Sequence, residues 1–500
     1  MTLCKTDNTV TKMKHLRTIL IAALLLGCLA PWQAQAAARK EKKNEPWKGY
    51  RFTLVIYGGT DTVMYLGNYY MGSTLAFDTA HLNKKGYFVF ENKERVLKPG
   101  LYFFVNPSGT YVEFAVYNEK LEFQFETEEP GWQTHMRVRG SKENDYLFTY
   151  HQANRAAYRI IDSAQRDMTD SAAFAQFRRQ QLYKLDSIKE AIIEQHPTSL
   201  VALLMNATRE PEVPKQDSTG QPLSRRQQWE YYMEHYFDYT RLEDDALVRT
   251  PEMIFHQRLV NYLDKALQNA PPETIIQYVD PLIDRAKPAK ENFRYLVHTI
   301  AEKYLQSNVM SYDAVYVHLV KRYIETGMCD WMSPSVVDDN VKRANTWDKL
   351  LLGKPAPPLV MKDAQGQVHS LYALPNKYTL LIFWSPTCGH CKTVIPDLYK
   401  RYSKYKDLYD IGTFAVLSEP DEPTRPKWHE FIEKHGLDWL NLDGGEANID
   451  WHEVYDVITT PQIYLLDRDK KILAKKLSAE TFEQIINMLE KDNAPSAAGN

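Results

Sequence analysis

The apolar run 380–384 stops at Ser385-Pro386-Thr387 and is followed at once by Cys388-Gly389-His390-Cys391 and a helix-prone stretch, 392–404. A run this short and this continuously apolar reads as a strand buried on both faces rather than as a helix. Strand and helix signals alternate from 352 onward, the pattern of a βαβ unit, so the C-terminal third is expected to be an α/β fold. Pro396 lies within the helical stretch and is expected to kink it. A helix that begins near Cys388 turns its unpaired amides and the positive end of its dipole toward that thiol. Both favour the thiolate, the nucleophile of disulfide exchange. Two intervening residues put both sulfurs on one helical turn, near enough to close into a disulfide and reopen. Cys388 is expected to be the attacking, solvent-facing thiol, and Cys391, one turn deeper, to resolve the mixed disulfide.

Other uses of such a pair fit less well. Half a zinc site needs a second pair or histidines at finger spacing; none occurs, and His235, His256, His298 and His318 are scattered, so no metal site is expected. A peroxiredoxin would carry Pro and Thr seven and three residues before its cysteine, where this chain has Leu381 and Ser385. The five cysteines, at 4, 28, 329, 388 and 391, are too few for a disulfide-stapled scaffold. Cys329 reads either as a buried thiol or as a third redox partner. The 61 Lys and Arg nearly balance 64 Asp and Glu, and no basic stripe runs along the chain, which leaves nucleic-acid binding without electrostatic support.

Length adds that this is more than one domain, since 500 residues at about 150 per domain give about three. Lys12, Lys14 and Arg17 precede an apolar run over 18–30 and then Ala34-Gln35-Ala36, so 1–36 is expected to be a secretory signal peptide. The run is shorter than the ~20 residues that span a bilayer core. A rival cleavage site at Leu25-Leu26-Gly27-Cys28 resembles a bacterial lipobox and would leave a lipid anchor on Cys28. Export to the periplasm or cell envelope places the remaining cysteines where disulfides persist.

Residues 37–48 are charged and unpatterned, a linker. Over 49–140 short β-prone stretches are separated by Gly58-Gly59, Lys98-Pro99-Gly100 and Asn106-Pro107-Ser108-Gly109, which predicts a β-sandwich of about seven to nine strands. Tyr57, Tyr65, Tyr69, Tyr70, Tyr87 and Tyr102 are expected to pack within it rather than to bind a ligand. Over 141–347 the period changes to 3.6, predicting an all-α helical array with helices at 170–195, 223–239, 251–268, 272–279, 292–306 and 311–325. The aromatic stretch 229–237 is expected to be core. The α/β domain occupies 348–490, with a tail at 491–500.

The C-terminal part resembles the thioredoxin superfamily, particularly secreted TlpA-like thiol-disulfide oxidoreductases. Trp384, Cys388, Cys391, Lys392 and Pro396 match the thioredoxin pattern W-x-x-x-C-x-x-C-K-x-x-x-P, and Thr460-Pro461, just before the β-prone stretch 462–466, matches its cis-proline loop. The gap between Cys391 and Pro461 fits the extra segment of TlpA-like members, and Lys354-Pro355-Ala356-Pro357 and Leu465-Leu466-Asp467 also look like that group. The resemblance implies a redox-active disulfide between Cys388 and Cys391 with no other cofactor. It also implies a cis Pro461 against the cysteines, and a Thr460 backbone free to pair with substrate. The order of a β-rich and a helical region ahead of this domain is similar to leader domains of secreted Bacteroidota proteins.

The chain departs from the family where thioredoxin has a buried acid six residues before the first cysteine, here Ile382, and a Trp just before it, here Thr387. TlpA-like reductases often carry Glu three residues after the second cysteine, here Val394. The base for Cys391 is therefore open among Lys392, water, Glu419 and Asp421. Gly389-His390 resembles protein disulfide isomerases, and a protonated His390 beside the thiolate would make the disulfide more oxidising. The expected function is an exported thiol-disulfide oxidoreductase acting on protein thiol or disulfide clients and served by an unidentified redox partner. The alternative is a cell-envelope binding or scaffold protein in which the thioredoxin domain is secondary.

Overall fold

The computed structural model describes residues 48–493. The expected signal peptide, the Cys28 lipobox, nearly all of the linker and the end of the tail lie outside the described residues. Among the described residues no helix is long and apolar enough to cross a membrane. The chain forms two compact units, one of residues 48–69 and 74–202, the other of residues 70–73 and 203–493.

The first unit carries eight strands: β1 (Tyr50–Tyr57), β2 (Val63–Tyr70), β3 (Ser73–His81), β4 (Phe88–Asn92), β5 (Gly100–Val105), β6 (Tyr111–Val116), β7 (Glu122–Glu128) and β8 (Arg137–Arg139). They form two four-stranded sheets, ordered β4-β1-β7-β8 and β3-β2-β5-β6. Alternate side chains of both sheets, among them Phe52, Leu54, Leu66, Phe104, Phe114 and Phe125, enter one aromatic core. This is what period-two patterning dictates for a sheet with one buried face. Tyr102 is buried, while Tyr57, Tyr65 and Tyr87 are exposed.

The helical region divides differently from the expected single block over 141–347. Helices Lys142–Asp167 and Ser171–Gln195 group with the strands. The cause is local: Asn144, fully buried, accepts the Ala115 amide at 2.7 Å and donates to the Ala115 carbonyl at 2.8 Å, pairing the first helix with β6, and Phe148 enters the β core. Asp170 caps the second helix by accepting the amides of Ala172 and Ala173.

The second unit holds most of the other helices. Pro272–Ala286 continues through Pro281 beyond the expected end at 279, because Val279, Leu282, Ile283 and Ala286 extend its buried face. The expected 251–268 helix is shorter, His256–Asn261 followed by a π-turn over Tyr262–Ala266. The aromatic stretch packs inward: Trp229 donates to the Ala266 carbonyl at 3.0 Å, Tyr236 packs tilted against Tyr262, and Phe237 meets Tyr262 edge-on. Helix Pro334–Lys349 was not singled out from the sequence, although Val337, Val341, Ala344 and Trp347 carry its spacing.

The rest of this unit is one seven-stranded sheet. Its strands are β9 (Val360–Asp363), β10 (Val368–Ser370), β11 (Tyr378–Trp384), β12 (Ile411–Leu417), β13 (Asn441–Asp443), β14 (Gln462–Leu466) and β15 (Ile472–Lys475), in the order β10-β9-β13-β12-β11-β14-β15. β11 lies between parallel β12 and antiparallel β14, and all seven of its residues are buried. Leu380, Ile382 and Trp384 pack on one face with Ile395 and Phe482; Leu381 and Phe383 pack on the other with Trp451 and Tyr455. A strand covered on both faces needs apolar residues without alternation, and 380–384 supplies them.

Candidate active site

β11 delivers the chain to Ser385 and Pro386, both buried, and the helix Cys391–Tyr405 carries it away. The turn between them holds the two cysteines as free thiols. The Cys388 amide donates to the Ser385 carbonyl at 3.3 Å and the Lys392 amide to the Cys388 carbonyl at 3.2 Å, so the helical hydrogen-bond ladder starts at Cys388. The Cys391 amide donates to Cys388 Sγ at 3.3 Å, and the Cys388 thiol donates to the Thr460 carbonyl at 3.2 Å. The Thr460–Pro461 peptide bond is cis.

The two thiols sit in different surroundings. Cys388 is partly exposed; Cys391 is completely buried. Burial works against the Cys388 thiolate, but hydrogen bonds from Cys391, the Thr460 side chain and the His390 backbone outweigh it and bring this thiol below the ordinary cysteine range. Burial, with the neighbouring Cys388, pushes the Cys391 thiol up to about 12. Cys329 is remote from this turn in sequence and donates weakly to the Tyr323 carbonyl at 3.4 Å; burial pushes it up to about 12, the state of an inert structural thiol. Iodoacetamide should therefore label Cys388 first in the reduced protein. Its rate should hold below pH ~8.5, the ordinary cysteine value, and fall as acid carries the thiolate through its lowered titration. Peptide mapping that found Cys391 or Cys329 labelled ahead of Cys388 would contradict this ordering.

The supporting positions separate into those at the thiols and those beneath them. Trp384 is fully buried against Phe431, Pro396 is half-buried inside the helix, and Lys392, Gly389 and His390 are exposed. Ile382 is fully buried in the sheet, so no titratable group stands at that position. Of the open candidates for the Cys391 proton, Asp421 is committed to the Thr424 amide at 2.9 Å. Glu419 is tied to the active-site loop instead. Its Oε2 accepts the Ser385 hydroxyl at 2.7 Å and the Thr387 hydroxyl, and the Thr387 amide donates to Ser385 Oγ at 3.2 Å. Two hydroxyls flanking Pro386, opposite an acid just past β12, were the available signal for this network. Among the described residues no cluster of His, Cys, Asp or Glu could hold a metal.

Residues 352–475 match the AhpC/TSA family, and residues 180–345 match a domain of unknown function, DUF5106. Thiol-disulfide oxidoreductase ResA of Bacillus thuringiensis (strain Al Hakam) is 30% identical over 145 residues, 29% of this chain and 80% of that protein. The chain belongs to the thioredoxin-like thiol-disulfide oxidoreductases. Sporulation thiol-disulfide oxidoreductase A of Bacillus subtilis (strain 168) is 29% identical over 145 residues, 28% of this chain and 82% of that protein. Among solved structures, a domain of a possible thiol-disulfide isomerase from Cytophaga hutchinsonii is 35% identical, covering 28% of this chain and 95% of that one, with a TM-score of 0.27. In this thiol-disulfide oxidoreductase the likeness to these relatives covers less than a third of the chain.

Proposed function

We propose that the protein is an exported, TlpA-like oxidoreductase that exchanges disulfides with protein clients through Cys388-Gly389-His390-Cys391. The observation that carries this is the asymmetry of the two thiols, one partly exposed and biased toward thiolate, the other buried and held protonated. The Cys388 thiolate attacks a client disulfide; one client sulfur becomes bonded to Cys388 and the other leaves as a thiolate that takes up a proton. Cys391 then loses its proton and attacks Cys388 Sγ, which releases the second client thiol and closes the Cys388–Cys391 disulfide. Two electrons pass to the client, and a separate thiol donor must return them. We assign the Cys391 proton to Glu419, which accepts the Ser385 hydroxyl at 2.7 Å. Trp384, Lys392 and Pro396 build the turn, and Thr460 and Pro461 present backbone to the client. The dithiol is the only cofactor this chemistry calls for.

The basic and apolar pattern of residues 12–36 supports export, and cleavage at the rival site would leave a lipid anchor on Cys28. The β-sandwich and helices are leader domains in this scheme. His390 biases the pair toward the dithiol when protonated, hence toward oxidising clients. Equilibration of the mature chain in glutathione buffers tests direction. A potential near that of thioredoxin, about −270 mV, identifies a reductase, and one near about −180 mV a donor or shuffler of disulfides. A Cys388→Ser chain should show no two-electron couple at all; if it retains one, the site lies elsewhere.

A further inference from the structure

Beside the dithiol lies a cleft of about 480 Å³, large enough for a ligand-sized segment. Its lining comes from two parts of one unit. His390, Ile458 and Pro461 belong to the thioredoxin-like fold, and Asn308 and Trp347 to the helical region. Ile458 is 73% exposed, unusual for an apolar side chain two residues from the Thr460 carbonyl that binds the Cys388 thiol.

The helical wall is fixed in place. Trp347 Nε1 donates to Asp456 Oδ2 at 2.6 Å, its ring packs on Tyr316 at 5.2 Å, and Met310 leans on the core under the dithiol helix. Of the charged groups in the lining, one pair is neutralised and the others are held by neutral partners. Lys475 pairs with Asp313, Asp456 accepts from Trp347, and Lys476 donates to the Ser307 carbonyl at 2.9 Å. The apolar part of the lining is Ile458, Pro461 and Trp347, with Ile458 the most open to solvent of the three.

We propose that this cleft seats the client segment next to the reacting cysteine, extended and carrying an apolar side chain between Ile458 and Trp347. The helical region is then a specificity-determining wall of the site. This rests on disulfide exchange at Cys388. A client sulfur bonded to Cys388 fixes its own chain at the mouth of the cleft, so the residues beside the client cysteine are the ones that meet it. Successive side chains of an extended chain point to opposite sides, so one of each neighbouring pair turns toward the lining.

The test compares two probes, disulfide-linked homodimers of one short peptide with Leu or with Ser on both sides of its cysteine. The readout is the rate at which each oxidises the reduced full mature chain. The wild type should react about tenfold faster with the Leu dimer, the scale set by one apolar side chain in a fitting pocket. Asn308→Trp, at an exposed loop position, should fill the cleft from the helical side and bring the ratio near one; Ile458→Asn should lower it from the other side. Each ratio is taken within one protein, so a general loss of reactivity cancels. Equal wild-type rates, or a tenfold preference that survives both substitutions, would overturn the proposal. Failure of the wild type to be oxidised by either dimer or by glutathione disulfide would instead overturn the dithiol assignment beneath it.

Discussion

The Cys391→Ser chain should accumulate covalent adducts between Cys388 and client proteins under mild oxidation, with steady-state turnover falling by roughly three orders of magnitude or more. That is the scale seen when a covalent catalytic unit loses one member. Cys388 keeps its environment in this variant: the residue 391 amide still faces its sulfur, where it lies at 3.3 Å in the native chain, and the Thr460 carbonyl is untouched. Attack on the client therefore proceeds. What is lost is, among the described residues, the one thiol positioned to displace the client, and Cys391 is so fully buried that no outside thiol takes its place readily. The adducts should run as high-mass bands on non-reducing gels, vanish with reductant and be absent from Cys388→Ser. Clean turnover by Cys391→Ser, or adducts that persist without Cys388, would defeat this assignment.

Asp313→Ala should destabilise the second unit by roughly 3–5 kcal/mol, the cost of leaving one member of a buried ion pair alone. Both partners are nearly inaccessible, with side chains 5% and 6% exposed, and Lys475 Nζ also donates to the Leu350 carbonyl at 2.6 Å. Asp313 begins a helix and Lys475 ends β15, so the pair joins the helical region to the sheet edge. Burial already holds the Lys475 ammonium below its ordinary titration, with Asp313 opposing that effect. Without Asp313 the lowering is unopposed. The folded variant then binds fewer protons at Lys475 than the unfolded chain does, so its deficit should shrink as pH rises. Urea unfolding at two pH values measures both effects. Asp313→Leu combined with Lys475→Met should recover most of the loss, because an apolar pair avoids the desolvation cost. A midpoint unchanged in Asp313→Ala would mean that the ammonium finds water and the pair contributes little.

Local features of the chemistry were legible before any fold was known. The run 380–384 can only be a doubly covered strand, since no alternation leaves a polar face, and Cys388-x-x-Cys391 at a helix start dictates one exposed and one deeper sulfur. Strand periodicity over 49–140 and the helical period over 170–195 were equally readable, because each depends on neighbours in sequence.

Interactions between distant segments were not readable. The helix from Pro272 was expected to end at 279, yet the buried face carries it through Pro281 to Ala286. The helix from Lys142 was expected to join the other helices, yet Asn144 and Phe148 bind it to the β-rich unit. Glu419 could be named as one of several acids, but only the return of β12 beside β11 brings it to the Ser385 hydroxyl.

The sequence by itself determined the dithiol, its strand and its helix, because periodicity, breaker residues and the two-residue spacing act within a few turns of chain. Only the tertiary structure decided that Asp313 would meet Lys475 and that Trp347 would meet Asp456. Those contacts join residues more than a hundred positions apart, and no local pattern encodes which distant side chains packing will bring together.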